Sequence, residues 1–310
     1  MKYRKSPDNY KDWLQDRKDN PSIGASASAS ILGLNPWQTE VDVWNDLVNG
    51  ANPKEDNLAM WLGREMEPII KKLFMDKTGL KVHNDNKIRI DDKYNFLTTN
   101  LDGLVVGESV PVEYKTTGAP WDGEIPDHYF VQIQHQMMVT KSPHIYFVSL
   151  SMGRRKELII EKYERNNEFI NDMRSTLVNF WLNHVVTKTP PDPKTIADAK
   201  KIFNDVDPDS TATAQPEDKL VWASLTDLKR QKLEIEKQIK AQQLDIMKRL
   251  GDRESLVDQY GQTLATWKKT KDSKIFDVKE FEKDNPELFN KYKKTRSGYR
   301  RFTIKEVING

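Results

Sequence analysis

Leu101-Asp102-Gly103 and, eleven residues after the aspartate, Val112-Glu113-Tyr114-Lys115 decide how this 310-residue chain is read. Residues 96–106 and 110–114 are rich in β-branched and apolar side chains, and Gly107-Glu108-Ser109 between them is turn chemistry, so the pattern predicts two neighbouring strands. Side chains alternate along a strand, which puts Glu113 and Lys115 on one face and Val112 and Tyr114 on the other, toward a core. Asp102 is expected where the first strand ends, with Gly103 letting the backbone turn beside it.

Two carboxylates and one amine across a hairpin suit phosphodiester hydrolysis. A hard cation neutralises the phosphate and acidifies a water, and Mg²⁺ takes only one or two carboxylates while keeping several waters. Asp102 and Glu113 are the expected ligands. Lys115 would orient or deprotonate the attacking water, or stabilise charge developing on the phosphate. The bland alternative is an exposed hairpin whose Glu113 and Lys115 form a surface pair worth at most about 1 kcal/mol.

Other stretches agree in order along the chain: Gly24-Ala25-Ser26 leading to Ile31-Leu32-Gly33-Leu34-Asn35-Pro36-Trp37; Gly63-Arg64-Glu65-Met66-Glu67-Pro68; Asn100-Leu101-Asp102-Gly103; Val112-Glu113-Tyr114-Lys115; and Gln132-Ile133-Gln134-His135-Gln136-Met137. On these five motifs the sequence resembles the YqaJ-like viral recombinase and phage lambda exonuclease family, within the PD-(D/E)XK nucleases, strongly over residues 10–185 and more loosely beyond. The resemblance implies an α/β core, a mixed central sheet flanked by helices. It also implies a Mg²⁺-dependent (or Mn²⁺-dependent) deoxyribonuclease of phage or prophage origin, working in the host cytoplasm. Such an enzyme degrades double-stranded DNA 5′ to 3′, leaving 3′ single strands for a phage-type single-strand annealing protein, and works as a homotrimeric ring.

The same resemblance assigns the outlying residues. Residues 60–77 carry an apolar stripe of helical period, with Pro68 kinking the helix or marking its first turn; Glu67 becomes a carboxylate assisting the metal. In a second helix over residues 127–140, Gln132 and Gln136 share a face while Gln134 points elsewhere. The family's functional glutamine falls on Gln134 or Gln132, with Gln134 preferred, and at most one of those two faces the metal. Ser26 and an upstream arginine hold the terminal 5′-phosphate, in keeping with anion binding at helix N-termini. Arg17 is the candidate, two residues further upstream than the usual spacing, with Lys18 as the alternative. From position alone Ser26 would serve equally as a helix cap and Glu67 as a solvated helix residue.

Composition limits the rest. A 31% share of charged residues and a mean hydropathy of −0.76 lead us to expect a soluble chain with no membrane span and no apolar leader. Without cysteine there are no disulfides, thiolate metal sites or iron–sulfur cluster, and the five histidines show no ligand spacing, as expected of surface or helix-packing residues. The net charge of +2 is unremarkable, but residues 267–301 carry twelve Lys/Arg against six acids, interleaved with aromatics, a stripe that either contacts DNA or is simply solvated.

The organisation expected is a nuclease core over 1–188, a Pro/Asp-rich linker over 189–219 with a short helix near 196–203, a long amphipathic helix over 220–250 and a small basic α+β module over 251–310. In the long helix Val221, Leu225, Leu228, Ile235, Ile239 and Ile246 follow a seven-residue repeat interrupted by Lys232 and Gln242, fitting either a short coiled coil or a core-facing helix. Beyond it the pattern predicts strands at 263–269 and 300–304 around a helix at 278–294. A restriction- or repair-type endonuclease on the same core, and a non-catalytic DNA-binding scaffold, are the competing functions.

Overall fold

The computed structural model describes all residues except 1, 8, 51–56, 119–123, 155, 297 and 305–310. The chain divides into two units, Met1–Phe203 and Asn204–Gly310.

The first unit contains β1 (Lys2–Lys5), α1 (Tyr10–Asp19), β2 (Ile23–Gly24), α2 (Ala25–Ile31), α3 (Glu40–Val48), α4 (Leu58–Thr78), β3 (Val82–Ile90), β4 (Leu97–Val105), β5 (Pro111–Thr117), α5 (Asp127–Thr140), β6 (His144–Ser151), β7 (Leu158–Glu164), α6 (Asn167–Phe180, continuing as a π-helical turn to Val186) and α7 (Ile196–Ile202). The strands form one mixed sheet in the order β1-β3-β4-β5-β6-β7, with β2 beside β4. β5 and β6 pair in parallel, Glu113 opposite Phe147, and α5 is the crossover that such a pair requires. The expected mixed sheet flanked by helices is what the chain builds.

One core lies on each sheet face. Ile70 and Phe74 of α4, four residues apart, pack with Val82, Val105, Val112, Tyr114 and Val148. Ile23, Leu97, Ile133, Met137, Phe147, Met173 and Leu177 fill the other face, under α2, α5 and α6. Asn57 caps α4, its side chain accepting from Met60 N at 2.9 Å, and Gly79 ends it at φ 74°. Pro68 stands mid-helix rather than in the first turn, where it has no N–H to give to the helical ladder.

α5 departs from a simple amphipathic helix. Sandwiched between the sheet and α2 and α6, it is buried nearly all round from Ile133 onward, including Gln134, His135 and Gln136. Gln134 and His135 find partners on both sides, whereas Gln136 donates through Nε2 and its Oε1 has no partner among the described residues. The His135 ring lies between Ser28 Oγ at Nδ1 (2.6 Å) and the Thr98 carbonyl at Nε2 (3.0 Å), and burial pushes its pKa down to about 4. Nε2–H therefore donates to Thr98 O, and Nδ1 accepts from Ser28.

The segment expected to be linker from 189 is in its first part integral to the first unit. Asp198 of α7, 1% exposed, accepts from Thr39 Oγ1 at 2.7 Å and caps its own helix through the Thr195 and Lys194 amides. The second unit holds α8 (Pro216–Leu250), the hairpin β8 (Ser255–Val257) and β9 (Thr263–Thr266), α9 (Val278–Asp284) and α10 (Pro286–Tyr292). The single helix expected over 278–294 is broken at Asn285-Pro286, because the proline lacks the amide needed to continue α9. No strand forms at 300–304.

Candidate active site

β4 and β5 pair at Gly103–Val112 and Leu104–Pro111, and there the ladder stops. Asp102 is thus inside β4, not at its end, and the strands part just beside it. The Tyr114 amide donates to Asp102 Oδ2 at 2.9 Å instead of to a carbonyl. Gly103 makes no turn. A Cβ on it would meet Val82 Cγ1 at 2.6 Å and the Tyr114 hydroxyl at 3.2 Å, so glycine is required by close packing within a strand. With Gly103 turned toward Tyr114, Asp102 faces the opposite side, where Glu113 and Lys115 stand.

Glu113 is 2% exposed, and its carboxylate is held from three directions. Oε1 accepts from Lys115 Nζ and from Gln132 Nε2 (2.6 Å), and Oε2 accepts from Gln136 Nε2 (2.6 Å). The neutral amides satisfy a buried anion without cancelling its charge. Burial opposes a charge on Lys115, but the Glu113 and Asp102 carboxylates outweigh it and hold the amine protonated, above the ordinary lysine pKa. Asp102 is pushed well above the usual carboxylate range by burial and by Glu113, against Lys115 and the Tyr114 amide.

Gln134, the preferred glutamine, does not reach the site. Its amide donates to the Glu164 carbonyl at 3.0 Å and accepts from Asn166 N at 3.0 Å, tying α5 to the start of α6. The 3.6-residue period turns it away from Gln132, which together with Gln136 donates to the Glu113 carboxylate. Gln136 was legible as sharing the Gln132 face, though not as a partner of Glu113.

A cavity of about 290 Å³ opens over this cluster, with Asp102, Glu113, Lys115, Gln132, Ser26 and Arg17 all in its wall. The Arg17 guanidinium rests 4.7 Å from the Trp13 ring centre, and the stem of Lys18 lies near Gly50, so the arginine, not the lysine, is the cation that α1 turns to the cleft. Ser26 is exposed in the first turn of α2. Arg4, missed from sequence, also lines the cavity and grips Asp16 with two hydrogen bonds of 3.1 and 3.0 Å, tying β1 to α1. Nothing short of the fold reveals a contact between an edge strand and a helix twelve residues on. Glu67 lines a neighbouring hollow with Lys71, Lys72 and Tyr114 that meets the first at Asp102. Burial raises its carboxyl pKa, Lys115 lowers it and Glu113 raises it again.

Residues 12–143 match the model of the YqaJ-like viral recombinase domain. Over 315 aligned residues, 96% of this chain and 94% of the relative, the sequence is 30% identical to "Uncharacterized protein YqaJ" of Bacillus subtilis (strain 168). The chain belongs to the YqaJ-like viral recombinase family. Among solved structures, an alkaline exonuclease from Laribacter hongkongensis aligns at 21% identity over 58% of this chain and 94% of its own, with a TM-score of 0.47. A phage related exonuclease from Haemophilus somnus 129PT aligns at 14% over 55% and 96%, with a TM-score of 0.43.

The donor set in this family member fits a hard divalent cation. Asp102 Oδ1 is left without a hydrogen-bond partner among the described residues, and Glu113 Oε2 accepts a single bond where an oxygen has two lone pairs. The Glu113 charge disfavours ionisation of Asp102, a penalty that a cation between the two would offset. Among the described residues no group of three or more His, Cys, Asp or Glu is placed to hold a metal ion; Asp102 and Glu113 are the two carboxylates that would hold a divalent cation here. No described helix is long and apolar enough to cross a membrane.

Proposed function

We infer that this chain is a metal-dependent deoxyribonuclease that hydrolyses duplex DNA from its ends, 5′ to 3′, leaving 3′ single strands for a single-strand annealing protein in phage-type recombination. The observation that carries the reading is the single cavity walled by Asp102, Glu113, Lys115, Gln132, Arg17 and Ser26. Asp102 and Glu113 are the proposed ligands for Mg²⁺, with Mn²⁺ as a substitute, and Glu67 assists from the adjoining hollow. The bound ion would supply charge neutralisation at the phosphate and a water of lowered pKa.

The protein's own groups do the rest. Lys115, anchored on Glu113, brings a positive charge to where negative charge builds on the scissile phosphate. Gln132 and Gln136 fix the Glu113 carboxylate so that its orientation is set before substrate arrives. Arg17 and Ser26 bind the terminal 5′-phosphate, holding the strand in register for attack. A ring-shaped homotrimer, which the family resemblance suggests, would keep the enzyme on its track. A phage or prophage origin and a cytoplasmic site of action in the host complete the proposal.

Purified protein incubated with Mg²⁺ and duplex DNA labelled at either the 5′ or the 3′ end tests it. Early release of 5′-labelled mononucleotide with late loss of 3′ label is expected. Cutting of closed circular DNA would favour an endonuclease, and an absence of cleavage with retained DNA binding would favour a scaffold.

A further inference from the structure

The heptad pattern in α8 has no role in the proposed chemistry. Of the helix's 35 residues only Leu250 is buried. Leu228, Ile235, Ile239 and Ile246 are 57, 55, 49 and 39% exposed, although they repeat at the spacing of a coiled-coil seam. Two polar residues, Lys232 and Gln242, occupy seam positions among them. Their placement determines what can cover the stripe.

We propose that α8 pairs antiparallel with α8 of a second copy of this chain. In an antiparallel coil the first and fourth positions of the heptad face each other. Centring the two-fold on residue 237 puts Lys232 against Gln242 of the second copy, Ile235 against Ile239, and Leu228 against Ile246. Every layer from 228 to 246 is then either apolar on apolar or an amine beside an amide oxygen able to accept from it; beyond it Arg249 meets Leu225 one residue from the helix end, where the arginine head can reach water. Sliding one helix by a heptad sets Lys232 against Ile235 in one direction and against Arg249 in the other. A parallel pair stacks Lys232 on Lys232. Both alternatives bury a cation against an apolar side chain or a like charge, so the two polar layers select one register, as polar seam residues do. The matched seam is about 27 Å long, and Lys232 can keep its ion pair with Glu236, 3.7 Å away on the same helix.

The chain has no cysteine, so one substitution introduces a unique thiol into the full-length protein. In the antiparallel register the two Glu236 positions are offset by about 3 Å along the axis and the two Gln242 positions by about 15 Å. Glu236→Cys should therefore be joined by a short bismaleimide into a band of two chains, and Gln242→Cys should not. Adding Ile239→Asp to Glu236→Cys should lower the yield at least tenfold. Cross-linking by Gln242→Cys in preference to Glu236→Cys would overturn the antiparallel register. No band from either variant, or one insensitive to Ile239→Asp, would overturn the pairing. Association through the first unit does not confuse the result, since each α8 takes one partner and the band stays at two chains.

Discussion

Lowering the pH from 7.5 to 5 should cost the first unit about 2 kcal/mol through His135 alone. The ring is fully buried, its Nδ1 is committed to Ser28 and its Nε2–H to Thr98, and its pKa is pushed from 6.5 to about 4 by burial. Because the folded pKa lies below the unfolded one, the unfolded chain binds the proton first. The stability is fully present above pH 6.5 and is lost as pH falls toward 4. At pH 5 the unfolded imidazole is almost wholly protonated and the folded one scarcely so, which gives about 2 kcal/mol; below pH 4 the loss approaches about 3.4 kcal/mol, from about 1.36 kcal/mol per pKa unit. The assay is urea unfolding of the wild type and His135→Gln at both pH values. Glutamine lowers stability at pH 7.5 by about 1–3 kcal/mol through lost buried hydrogen bonds, but the further loss on going to pH 5 should be about 2 kcal/mol smaller than in the wild type. Carboxylate titration is common to both proteins and cancels. Equal pH dependence in the two, or an imidazole resonance titrating near 6.5 in the folded protein, would refute the reasoning.

Asp102→Ala or Glu113→Ala should abolish Mg²⁺-dependent cleavage while far-UV circular dichroism stays unchanged, since either change relieves repulsion between the two carboxylates; full activity of either would remove it from the metal pair. Lys115→Ala should lose on the order of 10²-fold in turnover with DNA binding weakened much less, and turnover by Lys115→Arg measures how far a fixed charge suffices. Duplex with 5′-phosphate ends should be degraded faster than 5′-hydroxyl duplex, the preference shrinking in Arg17→Ala and not in Lys18→Ala; equal rates on both ends in the wild type would remove the phosphate pocket. Gly103→Ala, whose Cβ would meet Val82 at 2.6 Å, should cost about 1–3 kcal/mol in chemical denaturation, and unchanged stability would contradict the close packing described.

The sheet and its principal helices were legible because they rest on periodicity. β4, α4 and α5 sit within a residue or two of where the pattern put them, β5 runs three residues past its expected end, and Glu113 with Lys115 on one strand face follows from alternation alone. What escaped depends on contacts between distant segments. Helical spacing says that Gln132 and Gln134 diverge but not which of them meets the sheet, and the Gln134 partners, Glu164 and Asn166, lie some thirty residues on. Gly103 departs from expectation for a related reason, because a glycine in a motif signals equally a turn or a tight approach. Pro190-Pro191 and Pro193 read as linker punctuation, yet the cap that fastens α7 to Thr39 depends on one buried aspartate, Asp198, that composition does not single out. In the second unit the break at Asn285-Pro286 is legible in the proline itself, which cannot supply the amide a continuous helix needs.

The bond from the Tyr114 amide to Asp102 gives the protein an internal gauge. An amide proton donating to a carboxylate resonates further downfield the more charge that oxygen holds, and this one sits on an interior strand, sheltered from exchange with solvent. Its resonance in an ¹⁵N-correlated spectrum should move as Asp102 gains or loses a proton, and move again as Mg²⁺ is titrated in. Occupancy of the site could then be followed without DNA, turnover or any added label beyond the isotope.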